Sequence, residues 1–136
     1  MNTPVNTLAQ QHCAPYAGEV ALAGKELAEW HRFAPQWHVM TCEGSCTLQR
    51  DFTFPNFAEA LAFTDAIGAL AKSETHFPEV TTEWGKVSVR WWTPTIKGLH
   101  RNDFVMAAKT DDLYAQHQRH AVSLAAEPTQ GASASR

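Results

Sequence analysis

The chain has 136 residues, 44% of them hydrophobic and 18% charged, with 11 basic and 14 acidic side chains for a formal net charge of -3. That length suits one domain with its own core, the apolar fraction excludes a disordered chain, and the charge-poor stretches are too polar and too often broken by Pro and Gly to span a bilayer. Lys and Arg are too thinly spread for a nucleic-acid surface built on bulk charge, so neither a membrane nor a nucleic acid is expected as a partner.

No Lys or Arg precedes Lys25, so the start lacks the basic region of a secretory signal, and a cytoplasmic location is expected. The three cysteines, Cys13, Cys42 and Cys46, are too few and uneven for a disulfide scaffold and are expected to stay reduced. Residues 1–21, with Pro4, Pro15 and Gly18 and no sustained apolar period, are expected to form a flexible extension. Residues 125–136, ending in EPTQGASASR, are expected as a disordered tail. That leaves one domain over 22–124.

Within it, Leu22 to Phe33 spaces Leu27, Trp30 and Phe33 as a short helix stopped before Pro35. Gln36–Thr41 and Ser45–Phe54 alternate in polarity around a Glu43-Gly44 turn, which predicts a hairpin. Asn56 to Lys72 is rich in Ala and Leu, with Phe63, Ile67 and Leu70 at helical spacing, and Pro55 is tolerable at its start. Val80 to Trp84, a Gly85-Lys86 turn and Val87 to Trp92 predict a second hairpin, with Val87, Val89 and Trp91 facing the core. Pro94 to Gly98 breaks the pattern, and Asn102 to about Gln118 is again helical. The order αββαββα predicts an α+β fold, a four-stranded antiparallel sheet with helices packed on one face and the other face wet or covered.

Particular residues carry a family resemblance. Trp37 opens the first strand, FTFPNFAEALAF runs from Phe52 to Phe63, His76-Phe77-Pro78-Glu79 forms a turn, Thr93-Pro94 ends a strand, and Gly98-Leu99-His100-Arg101-Asn102-Asp103 leads into the last helix. Over Leu22 to Asp112 this resembles the pterin-4a-carbinolamine dehydratases. The resemblance implies their fold, and a pterin pocket walled by three histidines that protonate the leaving hydroxyl and remove a ring proton. Only the first histidine is kept, as His76. Phe77 and Pro94 stand in place of the other two and offer no titratable atom.

The expectation that follows is a non-enzymatic protein without cofactor or metal. His76 and Asp103 would be remnants, favoured by the helix dipole at a helix end and a helix start. Trp37 would be simply packed. Phe77, Trp92 and Pro94, beside Arg90, would replace polar pocket groups with apolar surface, either as a plug or as a partner-binding patch. A histidine set degraded in this way is similar to a branch of RuBisCO assembly factors of the alpha-carboxysome. That implies a homodimeric or larger chaperone for the RuBisCO large subunit, possible alternatives being a weak pterin-4a-carbinolamine dehydratase using His76 and water, or a protein dimerisation cofactor. Two further groupings have bland readings. Cys42 and Cys46, with only His38 near, lack ligands for a zinc site, and His117 and His120 suit a solvated helix end.

Overall fold

A computed structural model describes residues 8–14 and 20–126. The elements are α1 (Gly24–His31), β1 (His38–Cys42), β2 (Ser45–Thr53), α2 (Phe57–Glu74), β3 (Glu79–Glu83), β4 (Lys86–Trp91), a 3-10 turn (Pro94–Ile96) and α3 (Arg101–Ala126). All three strand pairs are antiparallel and the sheet order is β1-β2-β4-β3. The expected α+β fold is the observed one.

Local chemistry sets the boundaries. Asn56 caps α2 by accepting a hydrogen bond from the Glu59 N–H at 2.9 Å, so Pro55 lies outside the helix and costs it nothing. Thr75 ends the same helix in the left-handed region, φ 55°. The first hairpin turns on Glu43 and Gly44, both with positive φ, as the right-handed twist of two strands requires of a two-residue loop. The second turns on Trp84-Gly85, one residue earlier than expected. Lys86 pairs with Glu83 on one side and Thr53 on the other, so the ladder holds it in β4. Helix α3 also runs well past Gln118. His117 anchors its later part, bonding Glu59 Oε1 at 2.9 Å with its ring edge-on to Phe54. His117 is therefore docked on α2 and β2, not part of a solvated end, whereas His120 is exposed.

Strand alternation divides the sheet. Leu48, Phe52, Val87, Val89 and Trp91 are buried toward the helices, where they meet Phe63, Ile67 and Phe104. Phe52 sits at the centre, with ring contacts to Trp37, Phe63 and Tyr114 at 5.9, 5.0 and 4.9 Å. The outer face carries Gln49, Asp51, Ser88 and Arg90, with Arg90 paired to Glu79 at 3.0 Å. Among the described residues, no helix is long and apolar enough to cross a membrane.

The stretch expected as a flexible extension is described at 8–14 and 20–21. Leu8 is buried, 2% exposed, and Ala21 lies so close to Gly98 that a Cβ there would stand 2.7 Å from the Ala21 Cβ. Of the expected tail over 125–136, residues 125–126 belong to α3, and the rest lies outside the described residues.

Candidate functional site

The turn after α2 and the start of α3 bring two sequence-predicted residues together. His76 Nε2 lies 2.6 Å from Asp103 Oδ1, and Asp103 is wholly buried. Its other oxygen accepts from the Thr93 hydroxyl at 2.9 Å and from the His100 N–H at 2.9 Å. Each donor has a local reason to be there. Thr93 follows β4 and pairs with Gly98 across the 3-10 turn, while His100 immediately precedes α3 and Asp103 lies in its first turn, the Asp103 N–H returning to the His100 carbonyl at 2.9 Å. A buried carboxylate with these donors is satisfied, which is what allows it to be there at all.

The imidazole of His76 lies flat on the indole of Trp91, centroids 5.7 Å apart and planes within 8°. Trp91 is buried and its Nε1 donates to Thr110 at 3.1 Å. With Nε2 engaged by Asp103, Nδ1 is the ring nitrogen left, and the side chain is 14% exposed. The set is a histidine oriented by a carboxylate and backed by an aromatic plate, the arrangement that fixes a tautomer for proton transfer.

The remaining predicted residues are dispersed. Phe77 is next to His76 and 60% exposed, so it plugs nothing. Pro94 is exposed at the start of the 3-10 turn. Trp92, just after β4, is half-buried and packs against the core, and Trp91 is the tryptophan that meets His76. Arg90, also on the outer face, bonds Glu79 and approaches the Cys42 sulfur at 3.6 Å. Trp37 is packed, as expected, yet its Nε1 also donates to Asp111 at 2.9 Å, and Asp111 in turn pairs with Arg50 at 2.6 Å. Burial pushes the Asp111 carboxyl up, against the opposing pull of Arg50 and Trp37. Arg50 and Asp111 escaped the sequence reading because a charge on the core side of a strand is visible only once its helix partner is placed.

Near the dyad, burial raises the Cys46 thiol, with Asp103 adding to the effect. Burial first, then Glu74 and Asp103, push the Cys13 thiol up to about 12, so it is a neutral thiol. Among the described residues no three His, Cys, Asp or Glu side chains could hold a metal ion. A cavity of about 400 Å³ is lined by Leu22, Glu26, Trp30, His100 and Arg101, adjoining the dyad through His100.

The family model for "Pterin 4 alpha carbinolamine dehydratase" matches residues 20–113. The chain belongs to that family. A "Putative pterin-4-alpha-carbinolamine dehydratase" of Microcystis aeruginosa is 47% identical over 110 residues, covering 80% of this chain and 95% of that protein. One of the same description from Chlorobium limicola is 48% identical over 111 residues, covering 81% and 98%. Among solved structures, a transcriptional coactivator/pterin dehydratase from Brucella melitensis superposes with TM-score 0.63 at 26% identity, over 69% of this chain and 98% of that one. A pterin dehydratase-like RuBisCO assembly factor of the alpha-carboxysome superposes with TM-score 0.50 at 22% identity, over 58% and 89%, and shares the fold. In this carbinolamine dehydratase domain the His76–Asp103 pair lies inside the matched range, whereas residues 8–14 lie before it.

Proposed function

We propose that the chain is a pterin-4a-carbinolamine dehydratase of reduced catalytic equipment, in which His76 is the one side chain that moves protons. The observation that carries this is the buried His76–Asp103 pair: Nε2 is committed to the carboxylate, so Nδ1 is the base, and Trp91 fixes the plane of the ring. The descriptions of the relatives at 47% and 48% identity support the same chemistry. Dehydration removes a ring proton and a hydroxide that leaves protonated. His76 takes the first proton and returns it to the departing oxygen, directly or through water, because Phe77 and Pro94 supply no second group. One positioned acid–base group contributes about 10²–10⁴ in rate, so turnover is slow for the fold.

The test is the rate of carbinolamine dehydration by pure protein against buffer, then with His76→Ala and Asp103→Asn. Acceleration lost by about a hundredfold or more in His76→Ala supports the reading. A native chain no faster than buffer overturns it.

A second reading has a specific observation behind it. Phe77 and Trp84 are 60% and 70% exposed, and large apolar side chains in water are the anchors of protein interfaces. On this reading the chain is a non-catalytic assembly chaperone, with Phe77 at the centre of its contact surface and the half-buried Trp92 and Arg90 as further contacts. The client would be the RuBisCO large subunit, and the site of action the cytoplasm or carboxysome, by analogy with the assembly factor of the same fold. Self-association into a dimer or larger oligomer would multiply the contacts offered to a symmetric client. Its test is the yield of assembled RuBisCO on co-expression: a rise that Phe77→Ser abolishes supports the reading, and an unchanged yield overturns it.

A further inference from the structure

Helix α3 starts inside the protein. His100, Asn102 and Asp103 are all buried, so the backbone N–H groups of the first turn, which have no partner within the helix, find little water to bond instead. The usual remedy is a Ser, Thr, Asp or Asn just before the helix, whose side-chain oxygen accepts one of them. In this chain the residue in that place is His100, and its imidazole takes the role of the oxygen: Nδ1 accepts the Asn102 N–H at 3.1 Å. Accepting requires a bare Nδ1, with the ring proton on Nε2.

Asp103, three residues on, closes the other half. Its Oδ2 accepts the His100 N–H at 2.9 Å, and its own N–H bonds the His100 carbonyl at 2.9 Å. The two residues form a capping box with His in place of Ser or Thr and Asp in place of Glu. This is the same carboxylate whose Oδ1 holds His76 Nε2 at 2.6 Å. Thr93 also donates to Oδ2, but it comes from just past β4 and leaves the backbone path through 100–103 to the cap. Without the imidazole, the Asn102 N–H becomes a buried donor that has lost its acceptor, and the first turn shifts to satisfy it. Asp103, the next residue, moves with it.

We propose that His100 is a positioning residue for the dehydration: by capping α3 it sets the direction of the Asp103 carboxylate and, through it, the ring of His76. The catalytic consequence rests on the dehydratase reading above, whereas the link from His100 to His76 stands on the hydrogen bonds alone.

The experiment compares the full native chain with His100→Ala, which has no side-chain acceptor, and His100→Asn, which offers a capping oxygen at the same place. Two things are read: the nitrogen NMR signatures of the histidine rings, and kcat and KM for carbinolamine dehydration. In the native chain His100 should show a bare Nδ1 and a protonated Nε2. His100→Ala should change the His76 signature and lower kcat about tenfold, the rate equivalent of a lost cap, with KM little changed, and His100→Asn should bring both back toward native. A native His76 signature in a folded His100→Ala chain, its fold checked by near-ultraviolet circular dichroism, overturns the proposal. A raised KM at unchanged kcat overturns it too, since His100 would then be a substrate contact. If His100→Ala does not fold, a native His100 protonated on Nδ1, or a His76 signature that departs from native in His100→Asn, overturns it. A native chain without turnover removes the dehydratase reading, and the His76 signature alone then decides the positioning.

Discussion

At the residue scale, the charges that this chain buries come with their partners already arranged. Asp111 shows what such an arrangement is worth. It accepts from Trp37 Nε1 and from Arg50, whose guanidinium also lies 4.5 Å over the Phe52 ring. Asp111→Ala leaves the Arg50 charge and the Trp37 N–H without their acceptor. We expect a loss of about 2–3 kcal/mol, less than for a fully dry pair because both charged side chains keep some water, measurable by urea denaturation. The Asp103→Asn change differs in kind: the amide keeps an acceptor for one donor but cannot satisfy both His76 and the Thr93–His100 pair as a carboxylate does. It should cost about 1–3 kcal/mol and alter the tautomer signature of His76 in nitrogen NMR spectra, whatever happens to turnover.

At the element scale, the docking of residues 8–14 is governed by Glu74, which accepts the Cys13 N–H at 2.9 Å and bonds His12 at 2.7 Å. Burial works to raise its pKa, but the Cys13 N–H, His12 and Lys109 outweigh that and hold it below the ordinary value of 4.5. A carboxyl lowered on docking stabilises the docked state fully above its ordinary value and loses that contribution as pH falls through the lower, docked value. Protection of the Cys13 and Ala14 amides from hydrogen exchange, corrected for intrinsic rates, should therefore hold at neutral pH and fall in acid below about pH 4.5. Protection that is flat to pH 3 would mean that Glu74 does not hold this segment. A second element-level expectation concerns Gly98. Any side chain there meets Ala21 at the approach where the Leu22 N–H bonds the Leu99 carbonyl at 2.8 Å. Gly98→Ala should loosen residues 20–22 and lower thermal stability, whereas Gly44→Ala, with open space around it but φ 82°, should cost only the roughly 1 kcal/mol of left-handed backbone.

At the scale of the whole molecule, the sheet and helices could be read from the sequence because period-two and period-3.6 patterns report which side faces the core, and the described residues share one core. The same logic gives Val87, Val89 and Trp91 to the helix side, but it does not tell that His76 and Asp103 lie on that side too, so that Trp91 is the tryptophan that stacks on His76. The His76–Asp103 pair joins residues 27 apart and was nominated through family resemblance, since neither residue's spacing announces the other. Nothing in the sequence flagged the docking of residues 8–14, because most of its polar contacts run from side chains of α2 and α3 to backbone atoms, and a backbone acceptor has no letter. The exposed apolar residues were half seen: Phe77 from its family position, Trp84 not at all, since a tryptophan at the end of an alternating run reads as core until the turn is shifted by one. Trp84→Ser should leave stability within about 0.5 kcal/mol, as exposed positions do, and any change in self-association on light scattering would locate a contact there.

Thr75 adds a consequence of another sort. It is a β-branched residue at φ 55°, a conformation such side chains rarely adopt, and it immediately precedes His76. A glycine would sit there without strain, so Thr75→Gly ought to make the folded chain more stable. It would also let the peptide before His76 sample a wider arc, and the imidazole would lose its fixed presentation to Asp103. A search for hardened variants of this chain would find position 75 early, and, on the catalytic reading proposed above, an activity screen would discard it.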